Sequence, residues 1–156
     1  MIKKISLVTL MLLIIPGCGF KIVNQSKLIN YSISKIETSG DKKINYNIRN
    51  KILNIINEDK DKSYVLKLKT EKNKSVKEKN IGNEITKYKL EIIVNVTIET
   101  PDLKKIDNFT VKMIGDYESV KQYSQTLNNE KRLIKLLSDN LADKILEQLS
   151  LKLDDL

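Results

Sequence analysis

The clearest pattern in the chain lies between Tyr88 and Glu99. Tyr88, Leu90, Ile92, Val94, Val96 and Ile98 fall on one side. Lys89, Glu91, Asn95, Thr97 and Glu99 fall on the other, with Ile93 the single apolar residue there. A side-chain period of two held over that length predicts a strand in an antiparallel sheet, one face buried and the other wetter. The same period is present at Leu28–Glu37, where Ile29, Tyr31 and Ile33 alternate with Asn30, Ser32 and Ser34. It returns at Tyr64, Leu66 and Leu68 against Val65, Lys67 and Lys69, and again at Phe109, Val111 and Met113 against Thr110 and Lys112. Pro101-Asp102 breaks the third of these strands, and Gly115-Asp116 loosens the fourth, with Tyr117 to Ser119 continuing it or leading into the helix.

Two segments follow a helical period instead. Ile44, Ile48, Ile52 and Ile55 recur at four, four and three residues, with Lys43, Asn47, Arg49 and Asn50 on the opposite face. Thr38-Ser39-Gly40-Asp41 before it reads as a turn able to cap the helix, and the polar stretch Asn57–Asp61 ends it. From about Val120 to Leu151, Tyr123, Leu127, Ile134, Leu137, Leu141, Ile145 and Leu149 form one stripe, with Arg132, Lys135, Asp139, Asp143 and Glu147 opposite. The polar, lysine-rich stretch Glu71–Asn83 reads as a connection that turns at Ile81-Gly82-Asn83. The order β-α-β-β-β-α predicts an α+β two-layer sandwich, a four-stranded, mainly antiparallel sheet with both helices on one face. Residues 28–156 suffice for a single domain of this kind.

The N-terminus has another character. Lys3 and Lys4 precede an apolar run, Ile5–Ile15, and Pro16-Gly17 stands before Cys18. A charged start, an apolar core and a small residue at a cut describe a secretory signal. The run is too short for a membrane-spanning helix, which takes about 20 residues. Ile15-Pro16-Gly17-Cys18 resembles the lipobox of bacterial lipoproteins, with Pro16 a less common occupant of its position. The resemblance implies cleavage after Gly17, a diacylglycerol on the Cys18 thiol and usually a third acyl chain on its amine. Two or three chains hold a protein on a bilayer where one does not. Gly19, rather than the aspartate associated with inner-membrane retention in enteric bacteria, implies delivery to the outer membrane. Residues 1–17 are then the signal peptide and residues 18–27 a lipidated tether.

Composition narrows the function. The sequence holds one cysteine, no histidine and no tryptophan. With Cys18 acylated, neither a disulfide nor a thiol nucleophile remains, and the commonest general base and metal ligand is missing. Metal-ligand spacings and phosphate-binding glycine loops are absent too. Carboxylates such as Asp59 and Asp61, or Asp154 and Asp155, sit in polar turns or at the terminus. No catalytic site, metal or cofactor is expected. The formal net charge of +8 comes almost wholly from lysine, since Arg49 and Arg132 are the only arginines. Phosphate-gripping surfaces favour arginine's fork, so nucleic acid is not expected as a partner.

One further set of residues points to a family. Asp116-Tyr117-Glu118, Tyr123-Ser124, Glu130, Leu141-Ala142-Asp143-Lys144-Ile145 and Leu149 resemble the C-terminal half of the lipopolysaccharide-assembly lipoprotein family LptE. The order of lipobox, Gly-Phe, strand, helix, three strands and helix matches as well, and Ser124 stands where alanine is usual. The resemblance implies a lipoprotein on the periplasmic face of the outer membrane. It would plug and help assemble an LptD-like β-barrel and assist lipopolysaccharide delivery. On the uncovered sheet face, Lys67, Lys69, Lys87 and Lys89 are the candidate contacts to lipopolysaccharide phosphates, with Lys112 beside them. The alternative is a periplasmic lipoprotein that binds a small ligand or serves another outer-membrane assembly machine.

Overall fold

The computed structural model describes residues 32–55, 63–100 and 104–154. The signal peptide, Gly17, Cys18 and the tether over residues 18–27 lie outside the described residues. The elements are β1 (Ser32–Gly40), α1 (Lys42–Leu53), β2 (Ser63–Lys79), β3 (Ile85–Glu99), β4 (Lys105–Glu118) and α2 (Tyr123–Asp154). The strands form one sheet in the order β1-β2-β3-β4. β1 and β2 are parallel, with Ser32 opposite Ser63 and Gly40 opposite Thr70. The β2–β3 and β3–β4 pairs are antiparallel. The fold is the expected α+β sandwich with a mainly antiparallel sheet.

The core follows the two periods. Leu66, Leu68, Leu90, Ile92, Val94, Val96 and Ile98 line one face of the sheet, and Ile44, Ile48 and Ile52 of α1 and Leu141, Ile145 and Leu149 of α2 cover them. Several of these side chains are wholly buried, at roughly 1.5–3 kcal/mol of hydrophobic stabilisation each. Asp41 starts α1 as its N-cap, accepting from the backbone N–H of Lys43 and Ile44 at 3.0 and 3.1 Å. The stretch Thr38–Gly40 before it is strand rather than turn. Gly40 makes the bend at φ +95°, where a Cβ would lie 1.9 Å from the Thr70 carbonyl oxygen. Only glycine fits there.

Two further expectations change, and one left open is decided. β2 does not stop near Lys69 but runs to Lys79, because β3 offers a ladder along that whole length: Lys72 faces Ile92, Lys74 faces Leu90 and Val76 faces Tyr88. The turn itself falls at Ile81-Gly82-Asn83, where the Asn80 Oδ1 accepts from the Glu84 N–H and Asn83 takes φ 63°. Of the two readings open for Tyr117, the strand holds: β4 passes Gly115 and pairs as far as Glu118 with Lys87. Finally, α2 begins at Tyr123, which is 74 % exposed and not part of the buried stripe. Thr126 closes that end instead, its hydroxyl accepting from the Val120 N–H at 2.9 Å and donating to the Val120 carbonyl at 3.1 Å.

Candidate binding face of the sheet

Because both helices cover one face, the odd-numbered positions of β3 present the other. Lys67 and Lys69 of β2 lie opposite Thr97 and Asn95. Lys87 and Lys89 lie at the other end of the sheet, eight residues away along β3. At ~3.4 Å per residue that separation is roughly 27 Å. The four lysines therefore form two separate pairs on one face rather than one cluster.

Nearly all cations on this face have a carboxylate. Lys67 lies 2.8 Å from the buried Glu99, Lys69 3.3 Å from Glu71, and Lys87 3.2 Å from Glu78. Lys112 meets Glu91 at 2.8 Å, Lys35 meets Glu37 at 2.8 Å, and Lys77 is bonded to Asp116. Of the four candidates only Lys89 has no such partner among the described residues. Titration follows the pairing. The Lys35 hydrogen bond holds Glu37 below the ordinary carboxylate range, and that of Lys112 does the same for Glu91. The bonds to Glu99 and Asp116 hold Lys67 and Lys77 above that of a free lysine. The face is a mosaic of paired charges, polar but not strongly basic. A shallow concavity of about 310 Å³ opens between β1 and β3, with Lys67, Lys69, Glu37, Ser39, Asn95 and Thr97 around it.

The residues that carry the family resemblance do different work. The Tyr117 hydroxyl donates to Glu130 Oε2 at 2.8 Å. Lys74 reaches the same carboxylate at 2.8 Å, with its ammonium 4.3 Å from the centre of the Tyr88 ring. Tyr88 and Tyr117 stack with ring centres 5.4 Å apart. Burial opposes the charge of Glu130, but the bonds from Lys74 and Tyr117 outweigh it, so its pKa lies below the ordinary value. Burial and the neighbouring Glu130 raise that of Tyr117. Lys74 is held above the ordinary lysine value because Glu130 outweighs its own burial. This clasp joins the distal half of the sheet to α2. Sequence patterning missed it, although Lys72 and Lys74 stand at the alternate positions that continue Leu66 and Leu68. Leu141, Ala142, Ile145 and Leu149 of the same motif are simply core.

A second concavity was not foreseen either. Between the end of β1 and α1, Thr38, Ser39, Lys42, Asn45, Tyr46 and Arg49 line a groove of about 460 Å³. The signal was present in Lys42, Tyr46 and Arg49, spaced at four and three on α1 away from its isoleucine stripe. Among the described residues no three His, Cys, Asp or Glu side chains gather to hold a metal ion, and no helix is long and apolar enough to cross a membrane.

Solved structures resemble this arrangement. Lipoprotein B from Nitrosomonas europaea superposes with a TM-score of 0.64, at 13% identity, over 85% of this chain and 90% of its own. The rare lipoprotein B from Shewanella oneidensis gives 0.60 at 19% identity, over 78% and 97%. A minor lipoprotein from Acinetobacter baumannii gives 0.59 at 17%, over 78% and 92%. The chain shares its fold with these lipoproteins. No protein-family model matches the sequence, and no curated protein matches it.

Proposed function

We propose that the protein is a lipid-anchored, LptE-like lipoprotein of the outer membrane. Held by acyl chains on Cys18 to the periplasmic leaflet, it plugs and helps assemble an LptD-like β-barrel and assists lipopolysaccharide delivery. The observation that carries this reading is the helix-backed sheet, shared with solved lipoproteins over 78% to 85% of the chain, in a sequence that carries the lipobox Ile15-Pro16-Gly17-Cys18. Physically, one sheet face is spent on the core, and the other stays polar with its charges matched. Such a surface suits the hydrophilic lumen of a barrel, where an unmatched charge would be costly to desolvate. It does not suit a lipid surface. Lys67 and Lys69 at one end, and Lys87 and Lys89 at the other, are the proposed contacts to lipopolysaccharide phosphates. Lys89 is the readiest because, among the described residues, no carboxylate makes a direct ion pair with it, although Glu91 lies within electrostatic reach.

The test is purification of the tagged lipoprotein from membranes of its own host. A barrel carrying a periplasmic jelly-roll domain should co-purify, and the mature chain should begin at an acylated Cys18 by mass spectrometry. Recovery of a different barrel, or an unacylated chain, would refute the reading. For the lysines, reversal of all four to glutamate should abolish lipopolysaccharide capture in vitro, and unchanged capture would remove them.

A further inference from the structure

β1 is an edge strand: β2 pairs with one side, and no described strand pairs with the other. Natural proteins cover or charge such edges because they template further pairing. Here the last residues of the edge, Thr38, Ser39 and Gly40, are exposed, and beside them runs the groove floored by α1. Tyr46 stands on that groove 66 % exposed. Lys42 and Arg49 line it, and neither makes an ion pair or a side-chain hydrogen bond among the described residues. They contrast with the open sheet face, where almost every cation is matched.

One acceptor beside the groove has no donor among the described residues. Asn45 lines it and is 4 % exposed, its Nδ2 donating to the Ser39 carbonyl at 3.0 Å. Its Oδ1 is buried with no hydrogen-bond partner among the described residues. A buried amide oxygen left unpaired costs about 1–3 kcal/mol relative to a satisfied one.

We propose that this groove receives an extended, acidic segment of a partner protein, which adds as a further strand beside β1. Its backbone supplies N–H and C=O groups to the free edge, and its carboxylates meet Lys42 and Arg49. Its alternate side chains pack on the Tyr46 ring, as strand-addition sites pair main chain for affinity and side chains for selection. The chain's own tether is a poor occupant on charge, because residues 18–31 carry Lys21 and Lys27 and no aspartate or glutamate. The opposite groove, between β4 and α2, has Arg132 but is lined by Asp116 and Glu118 as well, so it does not select an acid. The proposal does not require the partner to be a barrel and stands or falls separately from the lipopolysaccharide reading.

The probe is a fluorescein-labelled seven-residue peptide with aspartate and valine alternating, titrated onto the full lipoprotein in detergent and followed by anisotropy. Binding should slow amide hydrogen exchange within residues 36–40, and not in β4. Lys42→Glu with Arg49→Glu should weaken it by tenfold or more, roughly the effect of reversing two close charges. The same peptide methylated at alternate backbone nitrogens should not bind, since it keeps the charge but cannot form the ladder. Equal binding of the methylated peptide, displacement by inorganic phosphate with no change in β1 exchange, or protection confined to β4 would each overturn the proposal.

Discussion

The two faces of the sheet are made by the same strands and stabilised in opposite ways. On the covered face Leu90, Ile92, Val94 and Ile98 are fully enclosed, and what holds them is area removed from water. On the open face Lys35–Glu37 and Lys112–Glu91 sit in pairs, and Lys67 reaches the buried Glu99. Pairs at the surface such as Lys35–Glu37 contribute little to stability, though they keep the surface close to neutral. The covered face therefore holds the fold together, and the open face is left to tune what can approach it.

Substitutions should separate these roles. Leu90→Ala or Ile145→Ala, both fully buried, should lower unfolding free energy by about 2–5 kcal/mol in urea titrations. Ile93→Ala, on the open side of the same strand as Leu90, should cost under about 1 kcal/mol. Similar losses for Leu90→Ala and Ile93→Ala would mean that the two faces are not distinct. Gly40→Ala comes next, because it places a Cβ against the Thr70 carbonyl at a positive φ. A loss of about 2 kcal/mol or more is expected, and the minor effect of an ordinary surface substitution would show that the bend is not needed.

The clasp is intermediate. Tyr117→Phe leaves a partly buried Glu130 with one donor fewer and should cost about 1–2 kcal/mol. Its pH dependence follows from Glu130, whose folded pKa lies below the ordinary value. The stabilisation is complete above the unfolded carboxylate range of about pH 4–5 and is lost as pH falls through the folded pKa. Glu130→Gln should flatten stability over that acid range, and an unchanged slope in thermal melts at pH 3 to 6 would count against the clasp. The smallest effect belongs to the open face. Lys112→Ala should leave the thermal midpoint within scatter at physiological salt, and a clear loss there would overturn the view of that face as structurally idle.

Much of this was readable residue by residue. The alternation from Tyr88 to Ile98 declared both the strand and its buried side, and the spacing of Ile44, Ile48 and Ile52 declared a helix and its inner stripe. The lysines at 67, 69, 87 and 89 were rightly placed on one face, since parity alone decides that. Their separation into two pairs was not readable, because it depends on how far β2 and β3 run together. Tyr123 misled for a related reason: it falls on the helical period of the stripe, but α2 only begins there, beyond the cover of the sheet.

Local pattern thus determined most elements and their faces, because these are properties of neighbouring residues. Pairing belonged to the tertiary structure. Residues 71–79 look like a polar loop until β3 supplies a ladder and Glu130 a counter-charge, and β1 runs parallel to β2 because α1 carries the chain back to place Ser63 beside Ser32. Those partners are distant in sequence, and a strand rich in lysine carries no apolar signal to announce them.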